Sequence, residues 1–119
     1  MDPNIDIIEL DEKVHNLQNE ILQSRKSLVI VVIYESWDPP SNIMKQKVCE
    51  KVCSNQNYAN KIKLILIERE KNITSLNTLY HKKFDDIPHV LLYQDQNLVD
   101  DFKCLNLNKL EIFFARTNE

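Results

Sequence analysis

Glycine, the residue that adopts left-handed backbone most readily, is absent from this 119-residue chain. Turns and helix ends that need this conformation must use another residue, and asparagine is among the most tolerant of it. We therefore predict that asparagine takes these positions. The absence also removes the glycine-rich nucleophile elbow that supplies an oxyanion hole in many hydrolases.

Positive charge is not in excess either, since the chain has 15 lysine and arginine residues and 18 aspartate and glutamate residues. Domains that bind nucleic acid through its phosphates are usually basic, so we expect no direct nucleic-acid contact. The hydrophobic fraction of 43% and charged fraction of 28% are typical of a globular protein. The length predicts a single domain over residues 1–119.

Long apolar runs and export signals are missing as well. The longest apolar run, within residues 27–34, is too short to span a bilayer, and residues 1–6 do not resemble a signal peptide. We expect no membrane contact and a cytoplasmic location, with the nucleus as the alternative. The three cysteines are then expected to be reduced thiols. Without a paired C-x-x-C or clustered histidines, we predict no metal site and no cofactor.

The hydrophobic periodicity predicts the order strand, helix, strand, helix, strand, helix, strand, strand, helix. This order is typical of an α/β fold with a mixed sheet of about five strands and about four helices on its two faces. The β-branched run 27–34 predicts a central strand buried on both sides. Further strands are predicted at 5–10 and 61–67, with a hairpin over 90–102 that turns at 94–97.

Helical spacing predicts which apolar side chains face the sheet. The expected caps are Asp11, Ser41 or Asn42, Asn72 or Thr74, and Asn106 or Asn108. The expected inward residues are Val14, Leu17, Ile21, Leu22, Ile43, Met44, Val48, Val52, Leu76, Leu79, Tyr80, Leu110, Ile112, Phe113 and Phe114. Cys49 and Cys53, four residues apart in the second helix, are expected at the core margin.

The segment Trp37-Asp38-Pro39-Pro40-Ser41 lies where the central strand turns into a helix, and ligands of open α/β sheets usually bind at such a corner. Proline suits the first helical turn, and the carboxylate and hydroxyl can satisfy its free N–H groups. Together with Asp86-Ile87-Pro88-His89, this corner resembles thioredoxin, whose corner is Trp-Cys-Gly-Pro-Cys and whose facing loop holds a cis-proline. The resemblance covers residues 5–116 and implies the thioredoxin-like fold.

In this alignment Asp38 and Ser41 replace the two redox cysteines, and Val32 replaces a buried aspartate that assists proton transfer. Because thiol-disulfide exchange needs an attacking and a resolving thiol, the resemblance implies a redox-inactive protein that is not an enzyme. The groove around Trp37 and Pro88 is then implied to bind other proteins. The expected partner-binding residues are Trp37, Asp38, Pro39, Pro40, Ser41, Ile87, Pro88 and His89.

The function that we predict is an adaptor or structural subunit of a larger assembly, on the cytoskeleton, microtubules or an axoneme. As an alternative, Trp37-Asp38-Pro39 followed by Met44 is similar to the DIM proteins, thioredoxin-like components of the spliceosomal tri-snRNP. A second alternative is a monothiol redox protein that uses Cys104, although a small buried residue at a strand end is the simpler interpretation. We do not expect Asp38, Ser41 and His89 to form a hydrolase triad, because the side chain after the cis-proline usually points away.

Overall fold

Strands and helices alternate along the part of the chain that the structure, a computed structural model, describes: residues 6–79 and 84–117. The strands are β1 (Asp6–Glu9), β2 (Leu28–Tyr34), β3 (Ile62–Glu68), β4 (His89–Gln94) and β5 (Asn97–Lys103). The helices are α1 (Leu17–Leu22), α2 (Pro39–Ser54), α3 (Gln56–Lys61), α4 (Ile73–Leu79) and α5 (Leu107–Thr117), and a 3₁₀ turn over Glu70–Asn72 precedes α4. None of the described helices is long and apolar enough to cross a bilayer.

The five strands form one mixed sheet in the order β1-β3-β2-β4-β5. β3 pairs in parallel with β1 and β2, whereas β4 pairs antiparallel with β2 and β5. All seven residues of β2 are buried, which confirms the predicted central strand. One face of the sheet packs against α2, α3 and α5, and the other packs against α1 and α4. The predicted fold class is confirmed.

One more helix is present than the four that we predicted, because the chain does not stay irregular after α2. Asn55 has extended backbone, and its side-chain oxygen accepts a hydrogen bond from the backbone N–H of Asn57. This contact satisfies a free N–H group at a helix start and begins α3 immediately.

The residues that adopt left-handed backbone are not the asparagines that we predicted. In the described ranges, the residues with positive φ are Asp95, Gln96 and Cys104, so the prediction is wrong. Asp95 and Gln96 form the turn between β4 and β5, where the twist of the strands favours left-handed backbone at both central positions. Asparagine instead caps helices, at Asn16, Asn55 and Asn106, because its side-chain oxygen can accept from the first N–H groups.

Two other predicted helix caps also differ in the structure. Asp11 caps a tight turn through the backbone N–H of Lys13, and α1 begins only after Asn16. Asn72 is buried, and it joins the backbone of Glu12 to that of Glu68 instead of capping α4. In both places a short polar side chain satisfies backbone groups of a turn or of a neighbouring element.

Several side chains that we expected to face inward are exposed. They are Val14, Leu22, Ile43 and Ile112, with exposed fractions from 42% to 74%. Val14 precedes α1, and the other three lie beside the buried stripe of their helices, because consecutive helical residues are about 100° apart around the axis. The side chain of Leu79 and all of Tyr80 lie outside the described part of the structure.

Candidate functional site

The corner between β2 and α2 is organised by Asp38, which is the N-cap of α2. Its Oδ2 atom accepts hydrogen bonds from the backbone N of Ser41 at 3.1 Å and from Ser41 Oγ at 2.8 Å. Pro39 and Pro40 occupy the first two helical positions, where a missing N–H leaves no hydrogen bond unmade. The predicted capping use of Asp38 is therefore confirmed, whereas the start of α2 expected at Ser41 or Asn42 is wrong, because both residues lie inside the helix.

The two residues that the resemblance aligns with the thioredoxin cysteines are hydrogen-bonded to each other. Ser41 is fully buried and its hydroxyl donates to Asp38, which is half-buried. Burial of the Ser41 side chain leaves it no accessible surface for the partner contact that we predicted. Asp38 keeps part of its carboxylate accessible.

Trp37 is the exposed feature of the corner, with 62% of its surface accessible. Its indole Nε1 donates to Oε2 of Glu35 at 2.8 Å, and Glu35 itself is completely buried. The N–H group of the indole is thus hydrogen-bonded to a buried side chain, while the apolar faces of the ring remain open to solvent. No role for Glu35 was predicted from the sequence; the available signal was a carboxylate placed directly after an apolar strand.

Glu35 also binds the residues that follow β3. Its Oε1 accepts from the backbone N of Glu70 at 2.7 Å, and Nε of Arg69 lies 3.5 Å from the same oxygen. Arg69 Nη1 donates to the carbonyl oxygen of Phe84 at 2.7 Å. A buried carboxylate and a guanidinium therefore connect the corner to the segment that leads into β4.

That segment contains a cis peptide bond between Ile87 and Pro88, as the resemblance implied. In the antiparallel pairing of β2 and β4, Ile33 lies opposite His89. This register places Pro88 beside the carboxyl end of β2, next to the corner. Ile87 is half-buried and Pro88 is buried, so Ile87 supplies the accessible apolar surface of the loop.

His89 turns away from the corner, as we expected. Its Nε2 atom lies 2.8 Å from Oδ2 of Asp101 on β5, and its ring packs edge-on against Phe84. His89 is buried, so its side chain leaves little accessible surface for the partner contact that we predicted. Since the imidazole bonds to Asp101 and the Ser41 hydroxyl bonds to Asp38, the described contacts form no nucleophile–base pair.

A second carboxylate shapes the opposite side of the corner. Glu68, the last residue of β3, accepts hydrogen bonds from Ser36 through the hydroxyl at 2.5 Å and the backbone N at 3.1 Å. These bonds, with Lys71 at 3.2 Å, hold the pKa of the Glu68 carboxyl below its usual value. The carboxylate form therefore fastens the loop after β2 to the end of β3.

The three cysteines lie in different surroundings. Cys104 is exposed, which corrects the expectation of a small buried residue, and its backbone N donates to the carbonyl oxygen of Pro88 at 2.8 Å. Cys49 packs against the core, as we expected, and burial raises the pKa of its thiol. Cys53 is exposed, which corrects its predicted place at the core margin. Within residues 6–79 and 84–117, no cluster of three or more His, Cys, Asp or Glu side chains has the geometry of a metal site.

Several thioredoxins are among the solved structures that superimpose on this chain. Thioredoxin f2 from Chlamydomonas reinhardtii superimposes with a TM-score of 0.71 at 17% identity, covering 93% of this chain and 95% of that one. A thioredoxin from Plasmodium falciparum gives 0.69 at 22% identity, covering 92% and 85%. Mitochondrial thioredoxin 3 from Saccharomyces cerevisiae gives 0.71 at 12% identity, covering 94% of each chain.

The sequence itself matches no protein-family model and no curated protein. At these low identities the structural likeness concerns the fold and leaves the activity open. The chain therefore has the thioredoxin-like fold, and Asp38 and Ser41 lie at the start of α2, where the sequence resemblance places them in the positions of the two redox cysteines.

Proposed function

We propose that this chain is a redox-inactive thioredoxin-like protein that acts as an adaptor or structural subunit of a larger protein assembly. The observation that carries the proposal is the state of Trp37. A large aromatic side chain is 62% exposed, yet its N–H group is already bonded to the buried Glu35. An exposed indole with its polar atom satisfied is suited to apolar contact with another protein.

The corner supports this proposal because its polar side chains form hydrogen bonds within the fold. Asp38 and Ser41 form the helix cap, and neither can form a disulfide. Pro39 in the corner is exposed and Ile87 in the cis-proline loop is half-buried, so both leave apolar surface accessible. Two successive prolines at the start of α2 restrict the backbone, which lowers the entropy lost on binding.

The occupant that fits this surface is an extended peptide segment of a partner protein with at least one apolar side chain. A segment with a proline or aromatic residue would stack on the open face of Trp37, since flat apolar groups pack best on an indole. We call this surface the Trp37 groove; it consists of Trp37, Pro39, Pro40 and Ile87.

A peptide library displayed on phage tests the proposal directly. We expect enrichment of apolar segments on the wild-type protein and at least roughly 30-fold weaker binding to Trp37→Ala, which is the loss typical of an interface tryptophan. Trp37→Phe keeps an aromatic face but loses the N–H bond to Glu35, so it should bind more tightly than Trp37→Ala and more weakly than the wild type. Binding is measured by isothermal titration of the selected synthetic peptides.

Ile112→Ala is the matched control, since Ile112 is also 62% exposed but lies on α5. It should bind the same peptides as the wild type. Equal binding by Trp37→Ala and the wild type, with both variants folded, would contradict the proposed groove. Unfolding of Trp37→Ala would show that Trp37 is required for the core instead.

We place the assembly on the cytoskeleton or microtubules, in the cytoplasm, because redox-silent thioredoxin folds recur there. The Trp37-Asp38-Pro39 likeness to the DIM proteins supports the alternative, a nuclear splicing complex bound through protein contacts. Co-sedimentation of the purified chain with polymerised tubulin would favour the first assembly. Binding to purified tri-snRNP proteins would favour the second.

A monothiol activity is the second candidate, because Cys104 is exposed and its backbone bonds to Pro88 beside the groove. Cys53, which is also exposed, provides an internal control. Under the adaptor proposal, iodoacetamide at neutral pH should alkylate these two thiols at comparable rates. Cys49 should react much more slowly, since burial raises its pKa and limits access. Peptide mass spectrometry follows each site with time.

A rate at Cys104 more than about tenfold above that at Cys53 would indicate a thiol activated by its surroundings. That result would favour the monothiol candidate over the adaptor. Alkylation of Cys49 at the rate of the exposed thiols would contradict its burial in the native fold.

A further inference from the structure

Glu35 is a completely buried carboxylate that contacts Trp37 of the groove and the two residues that follow β3. One oxygen accepts from Trp37 Nε1 at 2.8 Å, and the other accepts from the backbone N of Glu70 at 2.7 Å. Arg69 Nε lies 3.5 Å from that second oxygen. The two oxygens therefore serve two different segments of the chain.

Arg69 extends the connection to a third segment. Its Nη1 donates to the carbonyl oxygen of Phe84 at 2.7 Å and lies 3.5 Å from that of Asp85. Its backbone N donates to the carbonyl oxygen of Tyr34 at 2.9 Å, which fixes the arginine at the end of β2. A continuous path of polar contacts thus runs from the indole of Trp37 to the chain that enters the cis-proline loop.

Stability alone is a weak reason for such an arrangement. Removing a carboxylate and a guanidinium from water is costly, and well-packed apolar residues often stabilise a fold as much as a buried pair. A carboxylate that accepts hydrogen bonds from the N–H groups of two segments does, however, fix the relative positions of these segments. An exposed indole without this bond would be free to exchange between rotamers, and binding would then have to restrict it.

We propose that Glu35 and Arg69 are positioning residues that hold Trp37 and the Phe84–Pro88 segment in the arrangement a partner binds. Glu35 sets the orientation of the indole, and Arg69 ties the same carboxylate to the loop on the other side of the groove. This inference rests on the proposed function for its effect on binding, but its effect on Trp37 is independent of any partner.

Trp37 is the single tryptophan of the chain, so its signals can be measured without interference. The indole N–H gives one resonance in a proton–nitrogen spectrum, and the ring gives the only tryptophan fluorescence. In Glu35→Gln, the amide offers one acceptor oxygen where the carboxylate offers two, so Trp37 Nε1 and Glu70 N cannot both be satisfied. In Arg69→Gln, the link to the Phe84 carbonyl is lost.

For Glu35→Gln we expect solvent exchange of the indole N–H to accelerate at least tenfold, with a faster decay of fluorescence anisotropy. For Arg69→Gln we expect smaller changes at the indole, and altered backbone amide resonances over residues 84–88. Both variants should bind the selected peptides roughly tenfold more weakly, because restricting the mobile groove then opposes binding. Arg116→Gln, which removes an arginine paired with Asp100 at 2.6 Å, is the matched control and should change none of these.

Unchanged indole exchange and anisotropy in folded Glu35→Gln, together with an unchanged Glu70 amide resonance, would overturn the inference, even if its midpoint of denaturation were lower. Because Arg69 is partly exposed, Arg69→Gln supplies a second test should Glu35→Gln fail to fold. In that case, unchanged resonances over residues 84–88 would overturn the inference. A mobile indole in Glu35→Gln, together with normal peptide binding by Trp37→Ala, would support positioning and contradict the proposed groove.

Discussion

Replacing Asp38 and Ser41 with cysteine is expected to create thiol-disulfide exchange activity, which we propose the natural sequence lacks. The side chains at these positions already meet, with 2.8 Å between Asp38 Oδ2 and Ser41 Oγ. Position 38 lies at the amino end of a 16-residue helix. A thiol pKa lowered from about 8.5 to about 7, as at other helix N-termini, raises the thiolate fraction at pH 7 roughly tenfold.

The reaction needs both new thiols. The thiolate at position 38 would attack one sulfur of a substrate disulfide and release the first product thiol. The thiol at position 41 would then attack the mixed disulfide, release the second thiol and leave a disulfide between positions 38 and 41. Dithiothreitol returns this disulfide to the dithiol. Insulin reduction by dithiothreitol, followed by turbidity, measures catalysis.

The wild type controls for the three natural cysteines, and it should not exceed the rate with dithiothreitol alone. The single variant Asp38→Cys should form mixed disulfides without efficient turnover, since it has no resolving thiol at position 41. Losing the Asp38 cap should lower the free energy of unfolding by about 1 kcal/mol. Circular dichroism must therefore show that the variants are still folded. Catalysis by the wild type equal to that of the double variant would contradict the redox-inactive proposal.

Phe113→Ala is expected to have the largest effect on stability. Phe113 is almost completely buried on α5 and packs edge-on against Phe102 of β5, with 5.2 Å between ring centroids. Truncating a buried phenylalanine removes its apolar contacts and leaves a cavity, which costs about 3–5 kcal/mol. Urea unfolding followed by circular dichroism measures the change in the free energy of unfolding.

The neighbouring Ile112→Ala provides the comparison within the same helix. Ile112 is 62% exposed, so its truncation should change the free energy of unfolding by less than about 0.5 kcal/mol. Helical spacing alone predicts both residues on the inward face, and equal destabilisation by the two variants would support that prediction. A large loss for Phe113→Ala alone would support the helix orientation described above.

The strands were predicted well because each is a local apolar run with a clear period. The run at 27–34 is β-branched, and every residue of β2 is buried between two neighbouring strands. Helix ends and faces were predicted less well. Asp11 and Asn16 are both good caps, and only the packing of Leu17 and Ile21 on the sheet decides that α1 starts at the later one.

In the candidate site, too, features set by neighbouring residues were predicted, whereas contacts between distant segments were not. The sequence alone determined the strand-to-helix corner, its missing thiols, the cap at Asp38 and the proline that faces it. Each of these depends on residues that are close in the chain or on the resemblance that they carry. The fold class follows from the order of the elements, which is also readable from local patterns.

Only the tertiary structure decided which corner residues are accessible and what holds them. Glu35, Arg69 and Phe84 are far apart in sequence, and they meet because parallel pairing of β2 with β3 brings the ends of these strands together. Burial of Ser41 and exposure of Trp37 follow from how α2 packs on the sheet. Local patterns contain no information on contacts between distant segments, because such contacts depend on the packing of the whole domain.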